Sequence, residues 1–229
     1  MTPTPPTARR RRAVLVPVLA VLAAVALGAG AAFGGLEEAP KEQPRRLGKG
    51  ATLDQGQMST RFVDAVVRPG GEGAPGVPGK RYLQLHLRVT NQDSRTISAQ
   101  AMDRALPTVR TDGKVFKTLQ DSRTVGVSPH IVVKDADPDH YYSQLPPGVP
   151  TDVILSFEMP PGRAAPKTVQ IDAVSFEWRE SFFWRTHSWS VVSEPAPQPA
   201  AGPGANAAAT RYVPVVAARV ELPAREETA

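Results

Sequence analysis

No cysteine occurs among the 229 residues. Disulfides, thiolate metal sites, cysteine nucleophiles and a lipid-modified N-terminal cysteine are excluded together. An exported domain made from this chain must therefore be held by its core and its sheet ladders alone. Aromatic residues are scarce, at 6%, and all three tryptophans (Trp178, Trp184 and Trp189) fall in one late segment. The basic excess is smaller than it looks. The formal net charge is +5, but Arg9, Arg10, Arg11 and Arg12 account for most of it. The remaining charges nearly balance and are interspersed, so no clustered basic face of the nucleic-acid-binding kind is expected.

Long hydrophobic runs are missing, with one exception. Residues 13–36 (AVLVPVLAVLAAVALGAGAAFGGL) carry no charge. At a helical rise of 1.5 Å, about 20 apolar residues cross a bilayer core, so the run is long enough to span. The four arginines before it and Glu37 and Glu38 after it set the N-terminus inside and the rest of the chain outside. Pro17 falls in the first turns, where a helix tolerates it. The expectation is a single-pass signal anchor at the cell membrane with an extracytoplasmic C-terminal region. The small residues of segment 26–32 (ALGAGAA) leave a cleavable signal peptide as the alternative.

Beyond the run, residues 37–49 are charged and aperiodic and read as a juxtamembrane spacer. Residues 194–210, rich in proline, alanine and glycine, read as a linker. Between them sustained helical periodicity is absent and the signal is β. In 81–90 (RYLQLHLRVT), Leu83, Leu85, Leu87 and Val89 alternate with Gln84, His86, Arg88 and Thr90, the pattern of a strand with one buried and one wet face. Further strands are expected over 58–67, 131–133, 149–159, 168–178 and 187–192, the fourth of these with a bulge near Ala173 and Val174 where its phase shifts. Thr111-Asp112-Gly113-Lys114 is a hairpin signal. Some seven short strands with turn punctuation predict an all-β chain, an antiparallel immunoglobulin-like β-sandwich over residues 50–193. A small closed barrel is the rival. Leu85, Leu87, Val153, Leu155 and Phe157 are expected in the core.

The order of motifs adds a resemblance. Gly79-Lys80-Arg81-Tyr82-Leu83 runs into Leu87-Arg88-Val89-Thr90-Asn91; later come Leu145-Pro146-Pro147-Gly148 and Phe157-Glu158-Met159-Pro160. Over residues 50–192 this resembles the telokin-like, immunoglobulin-type extracytoplasmic domains of unknown function in Gram-positive, actinobacterial-type membrane proteins. The resemblance implies a fold and a location and brings no activity or catalytic residue. The chain departs from it in lacking a lipobox and in its late aromatic cluster.

Candidate chemistry is thin. Asp135, Asp137 and Asp139 alternate in one loop, as hard-cation ligands do, but Pro138 replaces the EF-hand register, and a solvated loop is the plainer reading. Asp139 beside His140 would need a nucleophile and an orienting group to act as a base, and neither is identifiable. His86, His130, His140 and His187 are isolated and read as surface residues; His86 falls on the wet face of its strand. Phe182, Phe183 and Trp184 fall at a hairpin turn between strands carrying Trp178 and Trp189. Both of those tryptophans are expected in or beside the core, whereas the tip residues form a candidate partner surface or fold back as core. The tail 211–222 (RYVPVVAARVEL) is too short for a second core. Pro214 points to pairing at a sheet edge, with an unstructured tail as the alternative. The functional expectation is a non-enzymatic extracytoplasmic binding or accessory module with no cofactor, a membrane contact through its N-terminal helix, an envelope protein or polymer as partner, and no nucleic acid. The alternative is a cell-envelope hydrolase with a loop-assembled site.

Overall fold

The computed structural model describes residues 43–71, 77–120, 123–134, 144–180, 185–196 and 211–227. The anchor segment 13–36, the aspartates Asp135, Asp137 and Asp139, the tip residues Phe182, Phe183 and Trp184, and most of the 194–210 linker lie outside these. Among the described residues no helix is long and apolar enough to cross a membrane.

Among the described residues the structure is all-β apart from one five-residue helix. It opens with β1 (Arg45–Leu47), β2 (Thr52–Asp54), β3 (Met58–Pro69), β4 (Arg81–Asn91) and β5 (Ile97–Ser98). The helix α1 (Ala101–Ala105) precedes β6 (Thr108–Thr111), β7 (Lys114–Gln120), β8 (Arg123–Gly126), β9 (Pro129–Val133) and β10 (Gln144–Leu145). Then come β11 (Pro150–Glu158), β12 (Thr168–Val174), β13 (Phe176–Glu180), β14 (His187–Val191), β15 (Ser193–Pro195), β16 (Tyr212–Pro214) and β17 (Val216–Glu226). Hydrogen bonding runs β8-β7-β6-β12-β17-β3-β4-β11-β9, with β1 on β17 and β2 on β3.

Two layers form because β17 changes partners. Residues from Val216 to Pro223 pair antiparallel with β12, and those from Ala224 to Glu226 pair parallel with β3. Pro223 has no N–H to give and sits at the changeover. The layers meet across one core. Leu83, Leu85, Leu87 and Val89 of β4 and Val153, Leu155 and Phe157 of β11 face Val109, Val169, Ile171, Val220 and Leu222, all buried. Phe116 of β7 meets Phe157 of β11 edge to face at 5.9 Å, a favoured aromatic geometry. The architecture is a β-sandwich with mixed pairing. Leu85→Ala should lower stability by about 2–5 kcal/mol, the range for a buried leucine, read from the midpoint of a denaturant titration.

Local chemistry explains the corners. Asp112 and Gly113 both take positive φ, at 48° and 76°, and Thr111 pairs with Lys114, as the Asp-Gly hairpin signal requires. The predicted irregularity in β12 is present, with a register shift between Ala173 and Val174. Asn91 is fully buried and ties two distant motifs together. Its Nδ2 donates to the Leu145 carbonyl at 2.9 Å and its backbone carbonyl accepts from Gly148 N–H at 2.8 Å. Spacing between the strand-ending Asn and the Leu-Pro-Pro-Gly turn is thus fixed by hydrogen bonds that a buried amide must make. Lys117 is also fully buried, with Nζ donating to the Asp103 and Leu106 carbonyls. Burial pushes its pKa down, against the opposing pull of Asp103.

Three expectations need correction. Residues 211–222 do not add at an edge: β17 is central, between β12 and β3. Pro214 is no obstacle because it lies before β17, in β16, where it pairs with Ser193 of β15. The domain therefore exceeds residues 50–193, since β1 also lies beyond that range and pairs parallel with β17; the spacer's last residues and the linker's first are strands. Trp178 is not core but 46% exposed, because β13 and β14 pair only with each other. Trp189, expected in or beside the core, packs half-buried against it.

Candidate functional site

The outward face of the layer β3-β4-β11-β9 carries a groove of about 440 Å³. Its construction starts with a bulge. The register between β3 and β4 shifts between Phe62 and Asp64, so Val63 is an extra residue turned outward. Bulges re-aim side chains in this way beside many sites. The bulge leaves Arg61 opposite Arg88 and Asp64 opposite His86. On the next strand Asp152 lies opposite Arg88 and Ile154 opposite His86. Lys134 continues past β9, its N–H donating to the Asp152 carbonyl at 2.8 Å. Lys49 and Gly50 close the other side, with Gly50 N–H bonded to the Phe62 carbonyl at 2.7 Å.

Four cations, Lys49, Arg61, Arg88 and Lys134, line the groove against one carboxylate, Asp152. Arg88 grips Asp152 through two hydrogen bonds, of 2.7 and 3.0 Å. That grip holds the Asp152 carboxyl below the usual carboxylate range, partly offset by desolvation. Lys49 bonds Asp64 at 2.9 Å, and Arg225 bonds the other oxygen at 2.9 Å. Burial pushes Asp64 up, but the two cations together outweigh it and leave its pKa lowered. Arg61 and Lys134 form no ion pair among the described residues. His86, expected on the wet face, is half-buried there, and its Nε2 has no hydrogen-bond partner. Desolvation, reinforced by Arg68, lowers its pKa below the usual histidine value, against Asp64 and Glu227, so His86 is neutral near pH 7.

The second exposed feature is the β13–β14 ribbon. Trp178 stacks on His187 at 6.0 Å and meets Trp189 edge to face at 5.5 Å. The Arg95 guanidinium stands 6.0 Å from the Trp178 ring centre, within cation–π reach. Contacts that the ring already makes leave it less free for a ligand than its exposure suggests.

The structure does not bring the remaining sequence candidates together. His130 and His187 lie on β9 and β14, apart in the hydrogen-bonding order, and Asp135, Asp137, Asp139, His140, Phe182, Phe183 and Trp184 are outside the described residues. Among the described residues, no three His, Cys, Asp or Glu side chains cluster as metal ligands would. The groove itself was not foreseen. Its only sequence signal was an arginine at an outward position of each of two strands.

No protein-family model matches the sequence, and no curated protein does. Two solved structures are similar in parts. A candidate lipoprotein from Staphylococcus aureus subsp. aureus NCTC 8325 aligns at 10% identity and a TM-score of 0.36, over 56% of this chain and 80% of that one. An uncharacterized β-sandwich protein from Clostridium difficile 630 aligns at 14% identity and a TM-score of 0.38, over 58% of this chain and 92% of that one.

Proposed function

We propose that this chain is a non-enzymatic binding module of the cell envelope, an immunoglobulin-type sandwich held at the membrane by residues 13–36, with the groove as its ligand site. One observation carries the reading. Arg61 faces Arg88 directly across two strands, and like charges so placed destabilise a sheet. The one carboxylate in the groove is held by Arg88, and among the described residues Arg61 and Lys134 form no ion pair and stand toward a ligand. An oxyanion is the chemistry that set recognises, because guanidinium and ammonium groups bind phosphate or carboxylate through charge-assisted hydrogen bonds. The groove lining includes no serine, threonine or cysteine, and its one carboxylate, Asp152, is held by Arg88 through two hydrogen bonds, an arrangement that favours binding over catalysis.

Titration of the full chain with glycerol 3-phosphate at low ionic strength tests the reading. Weak, saturable binding is expected, falling at least tenfold in Arg61→Glu and unchanged in Arg45→Glu, an exposed charge on β1. Equal binding by both variants and the parent would rule the groove out.

A further inference from the structure

Among the described ionisable residues that line the groove, His86 alone ordinarily titrates between pH 5 and pH 8. It projects outward from the middle of β4, with Asp64 opposite on β3 and Ile154 opposite on β11. The ring is half-buried, and its Nε2 is shut off from solvent without a hydrogen-bond partner. An imidazolium has two N–H donors to satisfy, and a buried charge without a partner is costly. The empty groove therefore favours the uncharged ring.

The charges around the ring come from each neighbouring strand. On β3, Asp64 is bound by both Lys49 and Arg225. Further along β3, Arg68 is paired with Glu227 at 2.8 Å. On β11, Asp152 is held by Arg88. Past the end of β9 comes Lys134, and within β9 His130 lies opposite Ser156, two residues along from Ile154. Each carboxylate near the ring is thus already engaged by a cation, whereas Arg61 and Lys134 form no ion pair among the described residues. The ring lacks the negative partner that an imidazolium needs.

A bound oxyanion supplies that partner. Arg61, Lys134 and the His86 ring line the same groove, so an anion drawn in by the cations brings its charge beside the imidazole. Nearby negative charge favours the protonated form. Resting on the groove reading above, we infer that His86 takes up a proton as the oxyanion binds, so that the groove holds its ligand more tightly at acidic than at neutral pH. Burial holds the free ring below the usual histidine range, and the anion raises it. The gain in affinity is then complete below the free-state pKa and is lost as pH rises through the bound-state pKa. Asp64 and Asp152 do not confuse the reading, because their cations hold both below the usual carboxylate range.

The probe is sulfate, whose own charge is constant between pH 5 and pH 8. The full chain would be titrated with it across that range, with chloride keeping the ionic strength fixed. Affinity should rise about five- to tenfold from pH 8 to pH 5, as a bound-state pKa raised by about one unit requires. His86→Gln should bind sulfate with no such dependence, whereas His187→Gln, on the aromatic ribbon, should keep that of the parent. Imidazole NMR on the parent gives a second reading: His86 should titrate at higher pH in saturating sulfate than in chloride. Equal affinity at both ends of the range, with the His86 titration unmoved by sulfate, would overturn the coupling and leave the groove. A pH dependence that survives in His86→Gln would place the proton elsewhere and overturn it as well. Absence of binding at every pH, by sulfate and glycerol 3-phosphate alike, would overturn the groove itself.

Discussion

Deleting residues 211–229 is expected to abolish the native fold, although these residues follow a stretch of linker composition and resemble a dispensable tail. Three side chains of β17, Ala218, Val220 and Leu222, are fully buried. Burying a valine or leucine side chain contributes about 1.5–3 kcal/mol. The deletion also strips ladder partners from β1, β12 and β3 at once, leaving two unpaired strand edges where the sheet was continuous. Net stabilities of such domains are about 5–15 kcal/mol, so losses of this kind consume most or all of it. Thermal unfolding of the chain ending at residue 210 should show no cooperative transition. A sharp transition near that of the full chain would show that β17 is not structural.

Gly56→Ala is expected to be a severely damaging conservative change, and Gly50→Ala provides its control. Both glycines have positive φ, at 84° and 81°, where an L-residue costs roughly 1–2 kcal/mol. A Cβ at Gly50 would meet nothing within 4 Å, whereas one at Gly56 would lie 2.4 Å from the Phe176 carbonyl oxygen. That carbonyl cannot easily retreat. The Phe176 N–H donates to the Gln55 carbonyl at 2.7 Å, and the Gln55 amide donates to the Val174 carbonyl at 2.7 Å, so turn and strand are tied from both sides. Gly56→Ala should cost at least about 3 kcal/mol, toward the upper end of single-mutant effects, while Gly50→Ala costs only its backbone term. Equal shifts in their urea midpoints would show that the strand at Phe176 yields freely.

What could be read from the sequence follows from how local each cause is. Alternation in β4 and β11 places Leu85 and Phe157 without knowledge of any partner, and the Asp112-Gly113 turn is encoded by two adjacent residues. The bulge near Ala173 announced itself as a break in phase. β17 carries the same kind of signal, because Ala218, Val220 and Leu222 alternate with Arg219, Glu221 and Pro223. The proline rule places it at an edge through Pro214, yet Pro214 belongs to the preceding strand. Nothing local says that a strand after a long Pro/Ala/Gly stretch inserts between β12 and β3; that is a property of the whole topology. The groove is less legible still. Arg61 and Arg88 become neighbours only through the β3–β4 register, which the bulge at Val63 sets. Lys134 joins them only because β9 pairs with β11. His86 looked like a surface residue because alternation gives the face of a side chain and not what lies beside it.

The groove, rather than the aromatic ribbon, is the surface expected to take the ligand. Side-chain nitrogen NMR on the full chain, titrated with glycerol 3-phosphate, separates the two. Saturable shifts at Arg61 Nε and Lys134 Nζ are predicted, with the Trp178 and Trp189 indole N–H signals unmoved. Shifts concentrated on the indoles, with Arg61 and Lys134 unchanged, would contradict the account.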